Sequence, residues 1–391
     1  MIRKELVDDL KIKWRNIQRE MNQKGFDACL LTMGVNLFYV SGQIFNGYFY
    51  LPAAGDPLFF VKRPNGLEGD GVYYVRKPEQ ILDYLVDLGI EKPRSLLLEA
   101  DELTYNDYVR LDKLFAPEKT GNATAMMRDL RSIKTSWEIE QFRISGRIHT
   151  KTYAGIPSCY RFGMTDLDFQ YEIEHLMRRN GSFGLFRVFG TNMDIFMGSL
   201  LAGENAEAPS PFDFALGGAG IDPSCPLGAN GTLLKEGIAV MIDMAGNYTA
   251  YTSDMTRVFS VGKLPALAYK AHQVSIEIQQ EIEGKALPGF PAADVYRVAE
   301  AIVEKAKLAS YFMGTKQQAK FVGHGIGLQI NELPVFTLRS KDVLAEGMVF
   351  ALEPKFVIPG VGAVGIENSF LVTARGVEKL TCAEENIINL E

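Results

Sequence analysis

Residues 238–257 read IAVMIDMAGNYTAYTSDMTR. Val240, Met241 and Ile242 form an apolar run that ends on Asp243, Gly246 and Asn247 supply turn chemistry, and Tyr251 and Thr252 lead into Asp254. The pattern predicts a buried strand, a hairpin tip and a returning strand. Residues equidistant from the turn of an antiparallel hairpin face each other on one side of the sheet. With the tip centred between Tyr248 and Thr249, Asp243 and Asp254 are expected side by side on one face. Two carboxylates so placed repel unless something cationic lies between them.

The device recurs in residues 348–372, MVFALEPKFVIPGVGAVGIENSFLV. The turn is Pro359-Gly360, and Gly360 is equidistant from Glu353 and Glu367. An apolar strand again carries one carboxylate inward and its partner returns a second. Between the hairpins lies GHGIG at 323–327, which holds His324 among glycines, where backbone can approach a ligand closely. Taken singly, each acidic residue reads equally well as a turn cap or a solvated strand residue, and His324 as a core histidine. Two apolar hairpins that each carry a matched pair are harder to explain that way. Buried carboxylates are rare unless paired or on a metal. Four carboxylates and a neutral imidazole call for two divalent cations, and paired metals about 3.5–4 Å apart are a known hydrolytic device.

The order Asp243, Asp254, His324, Glu353-Pro354, Glu367 resembles the M24 metallopeptidases, a family that also includes the non-metal enzyme creatinase. Asp254-Met255-Thr256-Arg257 is similar to the family's Asp-x-Thr-Arg. The resemblance implies five metal ligands, Asp243, Asp254, His324, Glu353 and Glu367. Asp254 and Glu367 would bridge two ions, Asp243 would chelate one, and His324 and Glu353 would complete the other. Glu353 is also the candidate proton shuttle, and the Thr256 hydroxyl would support the bridging carboxylates. Carboxylate-rich ligation favours Mn²⁺, with Co²⁺, Fe²⁺ or Zn²⁺ also suitable. The implied reaction is cleavage of the Xaa-Pro bond of dipeptides or of the N-terminus of short peptides by a metal-bridging hydroxide. The implied assembly is a homodimer.

Outward from these hairpins, the chain divides in two. Its 391 residues suggest two domains. Residues 3–24 place Leu6, Leu10, Trp14, Ile17 and Met21 at helical spacing, ending at Gly25. A strand is expected over 28–32, a hairpin from 48–52 and 57–62, a helix over 81–88 and a strand over 95–98. That alternation predicts an α/β domain over 1–125. Asn36-x-x-Tyr39-x-Ser41-Gly42 is similar to the N-terminal domain of prolidase and creatinase relatives. The resemblance implies that residues 126–391 form an α+β "pita-bread" catalytic domain, a curved sheet, and the helices read over 165–180, 266–284 and 292–309 would cover it. Ser136 is read as the cap of its first helix. The Gly- and Pro-rich stretch 214–231 lacks a phosphate-loop pattern and reads as a loop at the rim of a cleft. His149, His175 and His272 fall on predicted helices and read as surface or packed side chains.

A net charge of −7 without a Lys/Arg run gives no electrostatic footprint for nucleic acid. No apolar run reaches the roughly 18 residues of a membrane helix. The densely charged N-terminus lacks the apolar core of a signal peptide. Cys29, Cys159, Cys225 and Cys382 form no CxxC and read as reduced thiols, which makes a cytoplasmic protein the expectation.

Two departures from the family pattern bear on substrate handling. Asn331-Glu332-Leu333-Pro334 stands where active peptidases carry His-Glu-x-Pro, and Asn331 can donate a hydrogen bond but cannot transfer a proton. No histidine occurs between His175 and His272, although peptidases of the family place one in the loop ahead of the Asp243 strand, here near Pro226. Asn368 follows the final ligand where an Asp is common. Asn331 therefore joins Glu353 and His324 as a candidate catalytic residue. Beside the peptidase reading stand a family enzyme on a non-peptide small substrate, as a C–N hydrolase or lyase, and a catalytically silent binding protein.

Overall fold

In the computed structural model the described residues are 6–190, 197–212 and 216–391. The start of the first predicted helix and the first two residues of the 214–231 loop lie outside them. The chain forms two compact units, Met1–Arg131 and Ser132–Glu391.

The first unit runs α1 (Val7–Lys24), β1 (Ala28–Leu31), α2 (Gly34–Ser41), β2 (Asn46–Pro52), β3 (Leu58–Arg63), β4 (Val72–Tyr74), α3 (Glu79–Asp87), β5 (Ser95–Leu98), α4 (Tyr105–Phe115), β6 (Lys119–Asn122) and α5 (Ala123–Ser132). Its six strands make one mixed sheet in the order β4-β3-β2-β1-β5-β6. Helix α1 stops where Gly25 takes the left-handed conformation, φ 68°, that a side chain disfavours. The Asn36–Gly42 pattern is structural here. Asn36 donates to buried Glu99 at 2.6 Å and accepts from Arg131 at 2.6 Å, while Gly42 closes α2.

The second unit opens with α6 (Ser136–Ala154) and α7 (Asp166–Arg179), followed by β7 (Gly198–Ala202), β8 (Ile238–Gly246) and β9 (Ser253–Val261). Helices α8 (Ala266–Glu283) and α9 (Ala292–Ala306) precede β10 (Gly323–Gly325), β11 (Glu332–Val335), β12 (Val349–Leu352), β13 (Lys355–Ile358), β14 (Gly362–Gly365), β15 (Asn368–Thr373), β16 (Gly376–Lys379) and β17 (Ile388–Asn389). One sheet has the order β17-β9-β8-β7, a second β11-β10-β12-β15-β16, and β13-β14 form a separate hairpin. Helices α8 and α9 bury one apolar cluster against the second sheet and the β13-β14 hairpin, with Ile278, Val295, Phe350 and Phe356 at its centre. Phe169, Ile173 and Met177 of α7 bury another against β7, β8 and β9. The α6 cap is Thr135 rather than Ser136. Its hydroxyl accepts from Glu138 N at 3.3 Å, and Glu138 Oε2 accepts from Thr135 N at 2.8 Å.

The first hairpin is offset by one residue from the sequence reading. Asp243 pairs with Thr256 and Asp254 with Ala245, so the tip is centred between Thr249 and Ala250. Gly246 is still in the ladder, opposite Ser253, and Asn247 Nδ2 donates to Thr252 Oγ1 at 2.8 Å across the neck of the turn. The two carboxylates are therefore diagonal neighbours on one face rather than directly opposed. The second hairpin has the expected centre at Gly360. Leu352 pairs with Asn368 and Lys355 with Gly365, and Glu353 and Glu367 occupy the break between the two ladders.

Candidate metal centre

Each acidic side chain reaches the site because its strand is anchored from behind. Ser369 Oγ accepts from Asp254 N and donates to Asp254 O, both at 2.8 Å, tying β9 to β15. Glu367 N donates to Thr256 O at 3.2 Å. The buried Arg257 guanidinium donates through Nη1 to the carbonyls of Thr256 and Glu367 at 2.8 Å, and through Nη2 to Asn368 Oδ1 at 2.8 Å. From α8, Gln279 Nε2 donates to the carbonyls of Leu352 and Ile366, one residue before each glutamate. The conformation of GHGIG follows from space. None of Gly323, Gly325 and Gly327 has a positive φ, but a Cβ on them would collide with Ala351 O, Leu333 O and the Glu332 carboxylate respectively.

The result is one cleft whose floor carries Asp243, Asp254, His324, Glu353 and Glu367. Phe186, Leu216, Leu227 and Ile330 supply apolar lining. Four of these five side chains are buried, and Asp243 is partly exposed. His324 Nδ1 faces Gly325 O at 3.1 Å, and that contact places its proton there. Nε2 then faces Glu353 Oε1 at 3.3 Å and Asp254 Oδ2 at 4.0 Å. A lone pair turned on two carboxylates is unfavourable unless a proton or a cation lies between them. Thr256 Oγ1 donates to Glu367 Oε2 at 2.7 Å.

A sixth group enters this centre. Lys355, 1% exposed, donates from Nζ to Asp243 Oδ2 at 2.7 Å, Glu353 Oε2 at 2.8 Å and Glu367 Oε2 at 3.1 Å. Sequence reading passed over it. The signal was present, since Lys355 is the one cation among residues 349–374 and stands two positions from Glu353, the spacing that shares a strand face.

The electrostatics follow from these contacts. Burial pushes the Asp254 carboxyl far above its ordinary value, and Glu367, Asp243 and Glu353 add to the rise. Burial also lifts Glu367 to about 8 against the pull of Lys355. Glu353 goes the other way: burial opposes it, but Lys355 and His324 hold it down at about 2. Lys355 stays charged, because its three carboxylate partners outweigh the desolvation that would lower it. His324 is likewise raised above its usual value, burial notwithstanding, chiefly by Glu353. At neutral pH Asp254 and Glu367 thus hold protons, which a divalent ion entering on the Asp254–His324 side would displace.

Two donor groups can be tested against a cation. Asp254, His324 and Glu367 bring ligand atoms within 4.8 Å of one another, as do Asp243, Glu353 and Glu367. The first, with Glu353 Oε1 beside His324, is a mixed N/O set suited to a divalent ion. The second is the set that already holds the Lys355 ammonium.

Asn331 lines the cleft, but its amide is engaged. Oδ1 accepts from Phe189 N at 2.7 Å and Nδ2 donates to Phe189 O at 3.0 Å. A carboxamide matches a backbone N–H and C=O in this two-point fashion, and an imidazole does not. Glu332 accepts from Leu328 N and Gln329 N and pairs with buried Lys134 at 3.2 Å, which fixes the 327–331 turn. In the loop ahead of β8, Pro226 stands where the family's histidine is expected, next to Leu227 of the cleft wall. The other three histidines lie off the site. His149 and His272 are buried and His175 is exposed.

Fold and donor set together define a metallohydrolase architecture of two units. The profile of metallopeptidase family M24 matches residues 140–374, and that of the creatinase/prolidase N-terminal domain matches residues 13–133. The chain belongs to metallopeptidase family M24. An Xaa-Pro dipeptidase of Pyrococcus horikoshii is 25% identical over 392 residues, covering 98% of this chain and all of that protein. The solved Xaa-Pro dipeptidase from Bacillus anthracis superposes with a TM-score of 0.79 at 22% identity, over 97% of this chain and 99% of that one. The X-Pro aminopeptidase from Thermotoga maritima gives 0.77 at 20%, over 96% and 99%. The fold is thus the creatinase-type α/β domain followed by the pita-bread domain expected from the sequence.

Proposed function

We propose that this protein is a metal-dependent peptidase that hydrolyses the Xaa-Pro bond of dipeptides or short peptides. The observation that carries the reading is the convergence of Asp243, Asp254, His324, Glu353 and Glu367 on the floor of one cleft. The relatives named Xaa-Pro dipeptidase and X-Pro aminopeptidase support the substrate class. Mn²⁺ is the first choice of ion, with Co²⁺, Fe²⁺ and Zn²⁺ also suited to this donor set. A bound divalent ion supplies Lewis-acid polarisation of a carbonyl and lowers the pKa of water.

The chain's own residues do the rest. The carboxylates of the floor can pair with the α-ammonium of a peptide, and the apolar side formed by Phe186, Leu216, Leu227 and Ile330 suits a pyrrolidine ring. Glu353, ionised against Lys355 and His324, is positioned to accept a proton from water at its Oε1. Thr256 orients Glu367. Asn331 positions the 187–189 backbone beside the cleft rather than meeting the substrate through its amide. We place the protein in the cytoplasm, supported by four free thiols. None of its described helices is long and apolar enough to cross a membrane. A homodimer belongs to the same reading and rests on the family resemblance.

Two observations favour a second reading, a non-peptide small substrate with a C–N bond. The Asn331 amide is already paired, and a lysine shares the floor with the carboxylates. The test is hydrolysis of Ala-Pro and Ala-Pro-Ala after Mn²⁺ reconstitution, with a chelated sample and Asp254→Ala as controls. Chelator-sensitive proline release that Asp254→Ala abolishes is the expected result. Failure to cleave either peptide while Mn²⁺ is bound would transfer the assignment to the second reading.

A further inference from the structure

We propose that the Lys355 ammonium permanently occupies one of the two cation positions of this centre, so that the protein binds one divalent ion per chain, between Asp254, His324, Glu353 and Glu367. The inference rests on reading the five-residue constellation as a cation site, and it goes beyond that reading in the number of ions and in what replaces the second.

The first argument is geometric. An ammonium has three N–H donors and no acceptor. Lys355 delivers all three, one each to Asp243 Oδ2, Glu353 Oε2 and Glu367 Oε2, at 2.7, 2.8 and 3.1 Å. Those residues are the complete second donor group. A divalent ion there would need the same oxygens at about 2.0–2.2 Å. Ion and ammonium cannot both be at their centre.

The second argument concerns where the lysine could go. Its side chain is 1% exposed, its backbone is fixed in β13 opposite Gly365, and Lys355 O accepts from Met313 N at 2.8 Å. To admit a second ion the side chain would have to withdraw from three carboxylates while its backbone stays fixed in β13. Removing one partner of a buried ion pair is strongly destabilising.

Charge balance agrees. Four carboxylates, one ammonium and one divalent ion leave a single negative charge, which the α-ammonium of a peptide neutralises. Two divalent ions beside Lys355 would leave the four carboxylates net positive before any anionic ligand is counted. In a chain with glycine at 355, two ions would balance the four carboxylates.

The deciding measurement is ion stoichiometry. Wild type, Lys355→Gly and Lys355→Arg would each be stripped with chelator, dialysed to equilibrium against Mn²⁺ and assayed for Mn per chain by mass spectrometry. Electron paramagnetic resonance would distinguish isolated from exchange-coupled Mn²⁺. The expected result is one isolated ion in wild type and in Lys355→Arg, and two coupled ions in Lys355→Gly. Two ions in wild type would overturn the proposal, as would one ion in a Lys355→Gly chain that circular dichroism shows to be folded. If Lys355→Gly does not fold, the wild-type and Lys355→Arg counts decide alone. Absence of Mn²⁺ from all three folded chains would instead overturn the constellation as a cation site, and with it the metal-dependent function.

Discussion

Replacing Thr256 by valine removes one hydroxyl and little volume. That hydroxyl donates to Glu367 Oε2 at 2.7 Å, and Thr256 is fully buried, so no solvent water can take its place. A hydrogen bond to a charged acceptor contributes roughly 1.5–3 kcal/mol. At about 1.4 kcal/mol per factor of ten, the full loss would weaken cation binding about 10- to 150-fold. Glu367 Oε2 keeps one donor, the Lys355 ammonium at 3.1 Å, and the main-chain anchors of β9 and β15 are untouched. The effect therefore belongs in the lower half of that range, about 10- to 30-fold, in line with the usual effect of removing a hydrogen-bond partner of a metal ligand. Competition between the protein and a fluorescent Mn²⁺ chelator measures it, with circular dichroism to show that Thr256→Val folds. An affinity within about threefold of wild type, under 0.7 kcal/mol, would show that Thr256 does not hold Glu367 in its binding orientation.

Three further outcomes are expected. His272 accepts from Gly365 N at Nδ1 and meets Glu385 O through Nε2 at 2.7 Å, and burial lowers its pKa to about 4. The folded chain holds it neutral while the unfolded chain takes up a proton near pH 6.5. This contribution is thus intact at neutral pH and lost as pH falls from about 6.5 to 4, amounting to about 2.5 kcal/mol by pH 4.5. Urea unfolding at pH 7 and 4.5 should show wild type losing that much more than His272→Ala, and equal losses would refute the assignment. Asn331→Asp sets a carboxylate oxygen against Phe189 O in place of a donor, at a cost of about 1–3 kcal/mol, and amide exchange at Phe189 should rise on the order of tenfold or more. Unchanged exchange would show that the two-point pairing does not hold this segment. Gly146→Ala should lower the melting temperature, even though alanine favours a helix by about 1 kcal/mol, because the new Cβ meets Leu380 O. A higher melting temperature would mean that α6 shifts freely.

The carboxylate hairpins were legible because their signal is local. An apolar run of strand length ending on an acidic residue, a turn and a mirror-image return need no tertiary information. The centre at Gly360 could be counted directly, since Pro359-Gly360 marks a tight tip. The β8-β9 tip is displaced by one position because directly opposed aspartates centre it between Tyr248 and Thr249, whereas the ladder sets them diagonally and Asn247 bridges to Thr252 at the neck. Thr135 and Ser136 are chemically alike as caps, and the backbone, not the composition, chose between them. Lys355 was missed for a different reason. A lysine in a strand reads as solvent-facing by default, and only the fold, which brings Asp243, Glu353 and Glu367 around it, makes it the partner of three carboxylates. The role of Asn331 depended on residue 189, far away in sequence, and no periodicity reveals such a pairing.

The break between the β12-β15 and β13-β14 ladders constrains how this gene can vary in length. One register runs through both ladders, so the arms from Glu353 to Ile358 and from Gly362 to Glu367 must stay equal in length for both glutamates to meet across the gap. A single residue added to either arm would turn Lys355 and Glu353, or Glu367, away from the cleft. The tip is different, for Pro359 and Gly360 are exposed. Insertions should therefore accumulate there, and a reporter peptide or affinity tag placed between these two residues would leave the centre in register.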